Sequence, residues 1–148
     1  RVAEVPLEVV EQRPHVESAH VDARGGRACD RLDRRAQVVD ALVIARSPFI
    51  PGSIVRVRPV GVLLMEDEKG GDEKLLTVPI DATFPYYSDV SDRTDLPDIV
   101  MQQIEHFFTH YKDLEPNKWV RIGTWGDAAE ARALILDSIE RARAAAAA

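Results

Sequence analysis

The sequence predicts an α+β fold, a small curved sheet or barrel with two packed helices. Three observations carry this. Two β-branched, partly alternating runs, 53–65 and 74–80, flank an acidic turn containing two glycines. Apolar residues recur at helical spacing twice in the second half of the chain. The length, 148 residues, suits one domain with one core.

The elements follow in order. Asp40-Ala-Leu-Val-Ile-Ala45 is a short apolar run of the kind that makes a buried strand. Pro48 to Gly52 is punctuation. In the next strand Val55, Val57 and Val60 interleave with Arg56 and Arg58, and Pro59 and Gly61 predict a bulge. Glu66 to Glu73 reads as a long charged tip, and Lys74 to Ile80 as the returning strand of the hairpin. A helix is expected over Leu96 to Tyr111, with Pro97 and Asp98 in its first turn. Its apolar face is read as Ile99, Val100, Ile104, Phe107, Phe108 and Tyr111. Trp119 to Trp125 is the last strand. Asp127 and Glu130 cap a final helix with a stripe of Ala131, Leu134, Ile135, Ile139 and Ala142.

Residues 1–38 read differently from 39–148. The first aromatic is Phe49 and the first lysine Lys69. Without aromatics a segment lacks the side chains that dominate core burial. Val5, Leu7, Val9 and Val10 allow a short strand. The rest reads as an arginine-rich, partly disordered extension, or as GC-rich coding DNA translated out of frame. The missing initiator methionine points to a fragment or processed product.

Composition excludes some functions. A net charge of −6 argues against a nonspecific nucleic-acid binder, which needs a basic surface. The acidic tip, with no exposed stacking aromatics beside basic residues, argues against a single-strand binder. The single cysteine, Cys29, allows no intrachain disulfide and fits a cytoplasmic location. No apolar run approaches a membrane span or a secretory signal.

Three stretches hold candidate chemistry: Asp40 at the head of its strand, the hairpin with Asp67, Asp72 and Lys74, and the helix end with Tyr111 and Lys112. Asp72 and Lys74, two apart on a strand, share a side. Clustered carboxylates repel one another unless a hard cation sits between them, and oxygen ligands suit magnesium. The plainer reading is a solvated turn with a surface lysine. Tyr111 and Lys112 are either a core tyrosine with a dipole-complementing lysine or two donors to phosphate oxygens. His106 and His110 have a zinc-compatible spacing but no third ligand in sequence, so a packed or subunit-contact pair is expected.

At this point the residues resemble a family. The stretches Asp40-Ala-Leu-Val, Pro51-Gly-Ser, Arg56 to Gly61, Met65 to Lys74, His106 to Glu115 and Lys118-Trp-Val are similar, in order and spacing, to bacterial family I soluble inorganic pyrophosphatases over about residues 39–143. The resemblance implies an OB-like barrel flanked by helices, magnesium-dependent hydrolysis of pyrophosphate, and a cytoplasmic homohexamer. It puts Asp40, Asp67 and Asp72 on metal-binding aspartates and Lys74, Tyr111 and Lys112 on phosphate-binding groups. Asp67, Lys74, Tyr111 and Lys112 are the expected catalytic set. His106 and His110 fall on a helix used between subunits.

The chain also departs from the family. Its D-x-D-x-x-D signature ends at Asp40, but the earlier aspartates are Arg35 and Gln37 here. One metal ligand becomes a cation, and the carboxylate credited with activating water becomes an amide. The upstream F-Y-P-x-N-Y-G-type segment, catalytic arginine and Glu/Lys/Glu set are not found in residues 1–38. The resemblance therefore implies weakened turnover or, alternatively, a metal- and phosphate-binding subunit that does not turn over.

Overall fold

The computed structural model describes residues 7–11, 18–22, 39–50 and 53–147, with side chains over 39–50 and 53–144. Arg35, Gln37, Cys29 and the signature before Asp40 lie outside the described residues. Among the described residues, seven strands and two α-helices appear in the order β1 (Leu7–Glu11), β2 (Ser18–Asp22), β3 (Asp40–Val43), β4 (Ile54–Asp67), β5 (Gly70–Gly71), β6 (Lys74–Pro79), α1 (Asp98–His110), β7 (Val120–Gly126) and α2 (Ala128–Ala147). Two single-turn 3-10 helices, Pro85–Tyr87 and Arg93–Asp95, lie between β6 and α1. The strand expected around Leu7 is β1.

The sheet closes on itself. Its order runs β1-β2-β3-β6-β4, and β4 returns to pair with β1. Closure removes the open edges that an isolated sheet would present. β3 and β6 pair in parallel, the other neighbours antiparallel. β4 is long enough to serve two regions: its first half joins β1 and β6, and its second half adds β7 and the short β5. The β4–β6 register shifts between Pro59 and Gly61, where the bulge was expected. A side chain at Gly61 would come within 3.1 Å of Arg93 Cβ and of the Gly126 carbonyl, so a larger residue would force this close crossing to give by a few tenths of an ångström.

Alternation along the strands divides the apolar residues between the helices. Ala41, Val55, Val57, Val62 and Leu75 pack with Ala131 and Ile135 of α2. Leu42, Val60, Leu63, Met65, Leu76 and Val78 pack with Leu96 and Phe108 on the α1 side. Adjacent residues such as Ala41 and Leu42, or Leu75 and Leu76, serve opposite faces because the strand period is two. Asp40 and Lys74 share the parity of Leu42 and Leu76, and so emerge at the end of the α1-side core.

The α2 cap forms as expected. Asp127 Oδ1 accepts from the Ala129 and Glu130 amides, each at 2.8 Å, and the Asp127 amide donates to Glu130 Oε2 at 2.9 Å. Two expectations need correction. Ile99 is exposed rather than on the apolar face of α1. It precedes Phe108 by nine residues, or two and a half turns, which puts it on the opposite side of the helix. The acidic tip is also shorter than expected. β4 continues through Asp67, which faces Gly70 across a tight turn made by Glu68 and Lys69. Gly70 has φ of +119°, a conformation that requires glycine.

Candidate active site

The parallel register pairs Asp40 directly with Lys74. Lys74 Nζ donates to Asp40 Oδ2 at 2.6 Å and also to Asp72 Oδ1. One ammonium thus ties together carboxylates that are far apart in sequence. The Lys74 side chain is only 6% exposed, whereas Asp40 and Asp72 are about a quarter exposed. Its ammonium lies 5.9 Å from the centre of the Phe108 ring. Burial works against the charge, but the bonds to Asp40 and Asp72 outweigh it and hold the lysine above its ordinary pKa.

A second cluster lies at the hairpin. Lys112, just past the end of α1, donates to Asp67 Oδ2 at 2.7 Å and to Glu68 Oε2 at 3.3 Å. Lys118 donates to Glu68 Oε1 at 2.5 Å. The other oxygen of Asp67 accepts the Lys69 amide at 2.8 Å. Burial alone would raise the Asp67 pKa, yet Lys112 and the Lys69 amide carry it below its ordinary value. The Lys118 bond is the main cause of the low Glu68 pKa, about 2. Lys112 is pushed up: desolvation opposes its charge, but Asp67, Tyr111 and Glu68 more than offset this.

Tyr111 joins the clusters. Its ring stacks on Phe107 and meets Phe108 edge-on. The Lys112 ammonium lies 5.4 Å from its ring centre, and its hydroxyl feels the charges of Lys112, Asp72 and Lys74. Desolvation raises its pKa, so it stays protonated and can donate at neutral pH.

The structure therefore brings Asp40, Asp67, Asp72, Lys74, Tyr111 and Lys112 to one end of the α1-side core. It adds Glu68 and Lys118, to which the sequence reading gave no role. Each carboxylate there is engaged by an ammonium, and among the described residues no three His, Cys, Asp or Glu side chains are grouped to hold one metal ion. His106 and His110 lie apart from these residues, on the outer face of α1.

Comparison with known proteins gives the chain its class. A family profile described as inorganic pyrophosphatase matches residues 32–143. The inorganic pyrophosphatase of Brucella melitensis is 52% identical over 112 residues, covering 76% of this chain and 64% of the relative. That of Bradyrhizobium diazoefficiens is 56% identical over 102 residues, covering 69% of this chain and 57% of the relative. The solved inorganic pyrophosphatase of Helicobacter pylori superposes with a TM-score of 0.75 at 39% identity, covering 86% of this chain and 71% of that one.

The chain belongs to the inorganic pyrophosphatase family. The matched part spans less than two thirds of the length of these two relatives. The family match begins at Leu32, ahead of the resemblance read from Val39, and so includes Arg35 and Gln37.

Proposed function

We propose that this chain carries the carboxylate- and lysine-bearing side of a magnesium-dependent pyrophosphatase site, hydrolysing pyrophosphate to two phosphates. The observation that carries this reading is the convergence of Lys74, Lys112 and Tyr111 with Asp40, Asp67 and Asp72, in a chain with the family's sequence. The local charge supports a metal requirement. Asp40, Asp67, Glu68 and Asp72 contribute four negative charges, and Lys74, Lys112 and Lys118 three positive ones, leaving −1. Such a site repels pyrophosphate unless cations are added.

The donor chemistry fits magnesium, which takes hard oxygen ligands and commonly uses only one or two carboxylates beside water and substrate phosphate. Asp40 and Asp72, held together by Lys74, would be ligands of one ion, and Asp67 at the hairpin of another. When bound, magnesium neutralises phosphate charge and lowers the pKa of attacking water. The rest of the chemistry belongs to the chain. Lys74 and Lys112 are parked on the same carboxylates that would turn to the ion. With those carboxylates engaged by the ion, both ammonium groups would be available to hold phosphoryl oxygens. Tyr111, protonated, donates a further hydrogen bond. Charge that builds on the leaving phosphate is met by groups already in position.

Gln37 stands where the family's water-activating aspartate is expected, and Arg35 where a metal ligand is expected. Loss of a general base costs on the order of 10² to 10⁴ in rate. A phosphate-release assay with magnesium should give turnover reduced by about that factor relative to a full-length relative. Turnover equal to the relative's would mean that other groups supply the missing functions. Absence of turnover, with magnesium-dependent pyrophosphate binding retained, would favour the second reading of a binding subunit, which Arg35 and Gln37 support. The reading extends to a cytoplasmic homohexamer with His106 and His110 near a subunit contact. A sedimentation mass of one chain would contradict the hexamer.

A further inference from the structure

Glu68 holds two lysines and has no part in the proposed ion sites. Its Oε1 accepts from Lys118 at 2.5 Å and its Oε2 from Lys112 at 3.3 Å. The Glu68 side chain is 19% exposed and that of Lys118 31%, so the bridge sits at the rim of the site. Backbone reversals build both of its ends. Glu68 leads the tight turn that Gly70 closes at φ +119°. Lys118 directly follows Asn117, whose φ of 61° is a left-handed conformation that asparagine adopts more readily than most residues. Just beyond, Val120 pairs with Asp67, so the register that places Asp67 also brings Lys118 to Glu68.

We infer that Glu68 is the positioning residue for Lys112, keeping its ammonium aimed at substrate phosphate while Lys118 fixes the carboxylate from outside. This rests on the reading of Lys112 as a phosphate-binding group. Without an ion, the shorter Lys112 bond is the one to Asp67, 2.7 Å. With Asp67 engaged by an ion, that bond is released and Glu68 remains as a tether. An ammonium has three protons, so one can stay on Glu68 while the others reach phosphoryl oxygens. Untethered, Lys112 is a flexible four-carbon stem whose ordering opposes binding. Lys118, on the other oxygen of Glu68, keeps that carboxylate from turning wholly onto Lys112. Charge alone predicts the opposite of a tether. A carboxylate beside an anion site repels the anion, so its removal should tighten binding. The sign of the effect therefore separates the two.

The test compares wild type with Glu68→Gln by calorimetric titration of pyrophosphate across a range of magnesium. Glu68→Gln should bind about fivefold more weakly, the worth of one partly exposed ion pair, with the magnesium midpoint unchanged. In a Lys112→Met background the same substitution should cause no weakening, because Glu68 acts through Lys112. Lys118→Met should weaken binding in the wild type but not in Glu68→Gln. Acetic anhydride labelling with magnesium and no pyrophosphate reads the tether apart from substrate. Lys112 should be acetylated about fivefold faster in Glu68→Gln, with Lys74 unchanged. A wild type that binds no pyrophosphate but shows this labelling contrast would overturn the pyrophosphatase reading and support Glu68 as the tether of Lys112. Tighter binding by Glu68→Gln, weakening that persists with Lys112→Met, a shifted magnesium midpoint, or equal labelling of Lys112 would overturn the positioning role.

Discussion

The two lysine clusters use the same chemistry in different settings. Lys74 projects from a barrel strand into the edge of the core and is clasped by two aspartates, each about a quarter exposed, from different segments. Lys112 lies just past a helix end and engages one nearly buried aspartate, Asp67, plus Glu68, which it shares with Lys118. The first cluster is fixed by sheet register, the second by a tight hairpin meeting a helix terminus. Register holds a charge in place through the whole barrel, whereas the hairpin holds it through a single turn. Disturbing Lys74 should therefore reach the fold, and disturbing Lys118 only the surface.

The largest expected effect is that of Lys74→Met. It leaves Asp40 and Asp72 facing each other without their cation, and should lower stability by about 3 kcal/mol in denaturant titration without metal. Added magnesium should recover part of that loss, because the ion replaces the missing charge. Lys112→Met should cost less, about 2 kcal/mol, because Asp67 retains the Lys69 amide. Tyr111→Phe removes only a hydroxyl. It should leave the melting point nearly unchanged while weakening phosphate binding about tenfold, the value of one charge-assisted bond. Lys118→Ala should lower the denaturation midpoint least of all, because Glu68 is exposed to solvent screening and keeps its bond from Lys112.

Acid gives a further comparison. Asp67 and Glu68 both have folded pKa values below their ordinary 3.8 and 4.5, so their contribution is present above those values. It is lost as pH falls through the lowered folded values, near 2 for Glu68. Lys74 has the opposite sign: its contribution is present below its ordinary 10.5 and is lost as pH rises through the raised folded value. Stability measured against pH should fall on the acid side through the hairpin and on the alkaline side through Lys74 and Lys112, both raised by their carboxylate partners. Lys74→Met should remove its own share of the alkaline fall, keep that of Lys112, and leave the acid fall in place.

Much of the fold was legible because β-branched alternation and helical spacing are local signals. The bulge at Pro59 and Gly61 and the α2 cap could be placed to the residue. The hairpin was misjudged because Glu66 and Asp67 are poor strand formers by composition. Pairing of Glu66 with Arg121 and of Asp67 with Val120 on β7 holds them in the sheet, and tertiary pairing of this kind overrides propensity. Asp72 and Lys74 could be put on one side from their spacing. The pairing of Asp40 with Lys74 could not be read, because it depends on a parallel register between strands separated by the whole of β4. Glu68 and Lys118 were missed for the same reason: their contact spans 50 positions and exists only once the hairpin folds against the segment after α1.

In the proposed site the two lysine clusters together hold one pyrophosphate with magnesium. Calorimetric titration of pyrophosphate into the wild type and Lys112→Met, each with and without magnesium, tests it most directly. One pyrophosphate per chain should bind, only when magnesium is present, and at least about tenfold more weakly to Lys112→Met. Equal affinity in wild type and variant, or binding that is indifferent to magnesium, would contradict it.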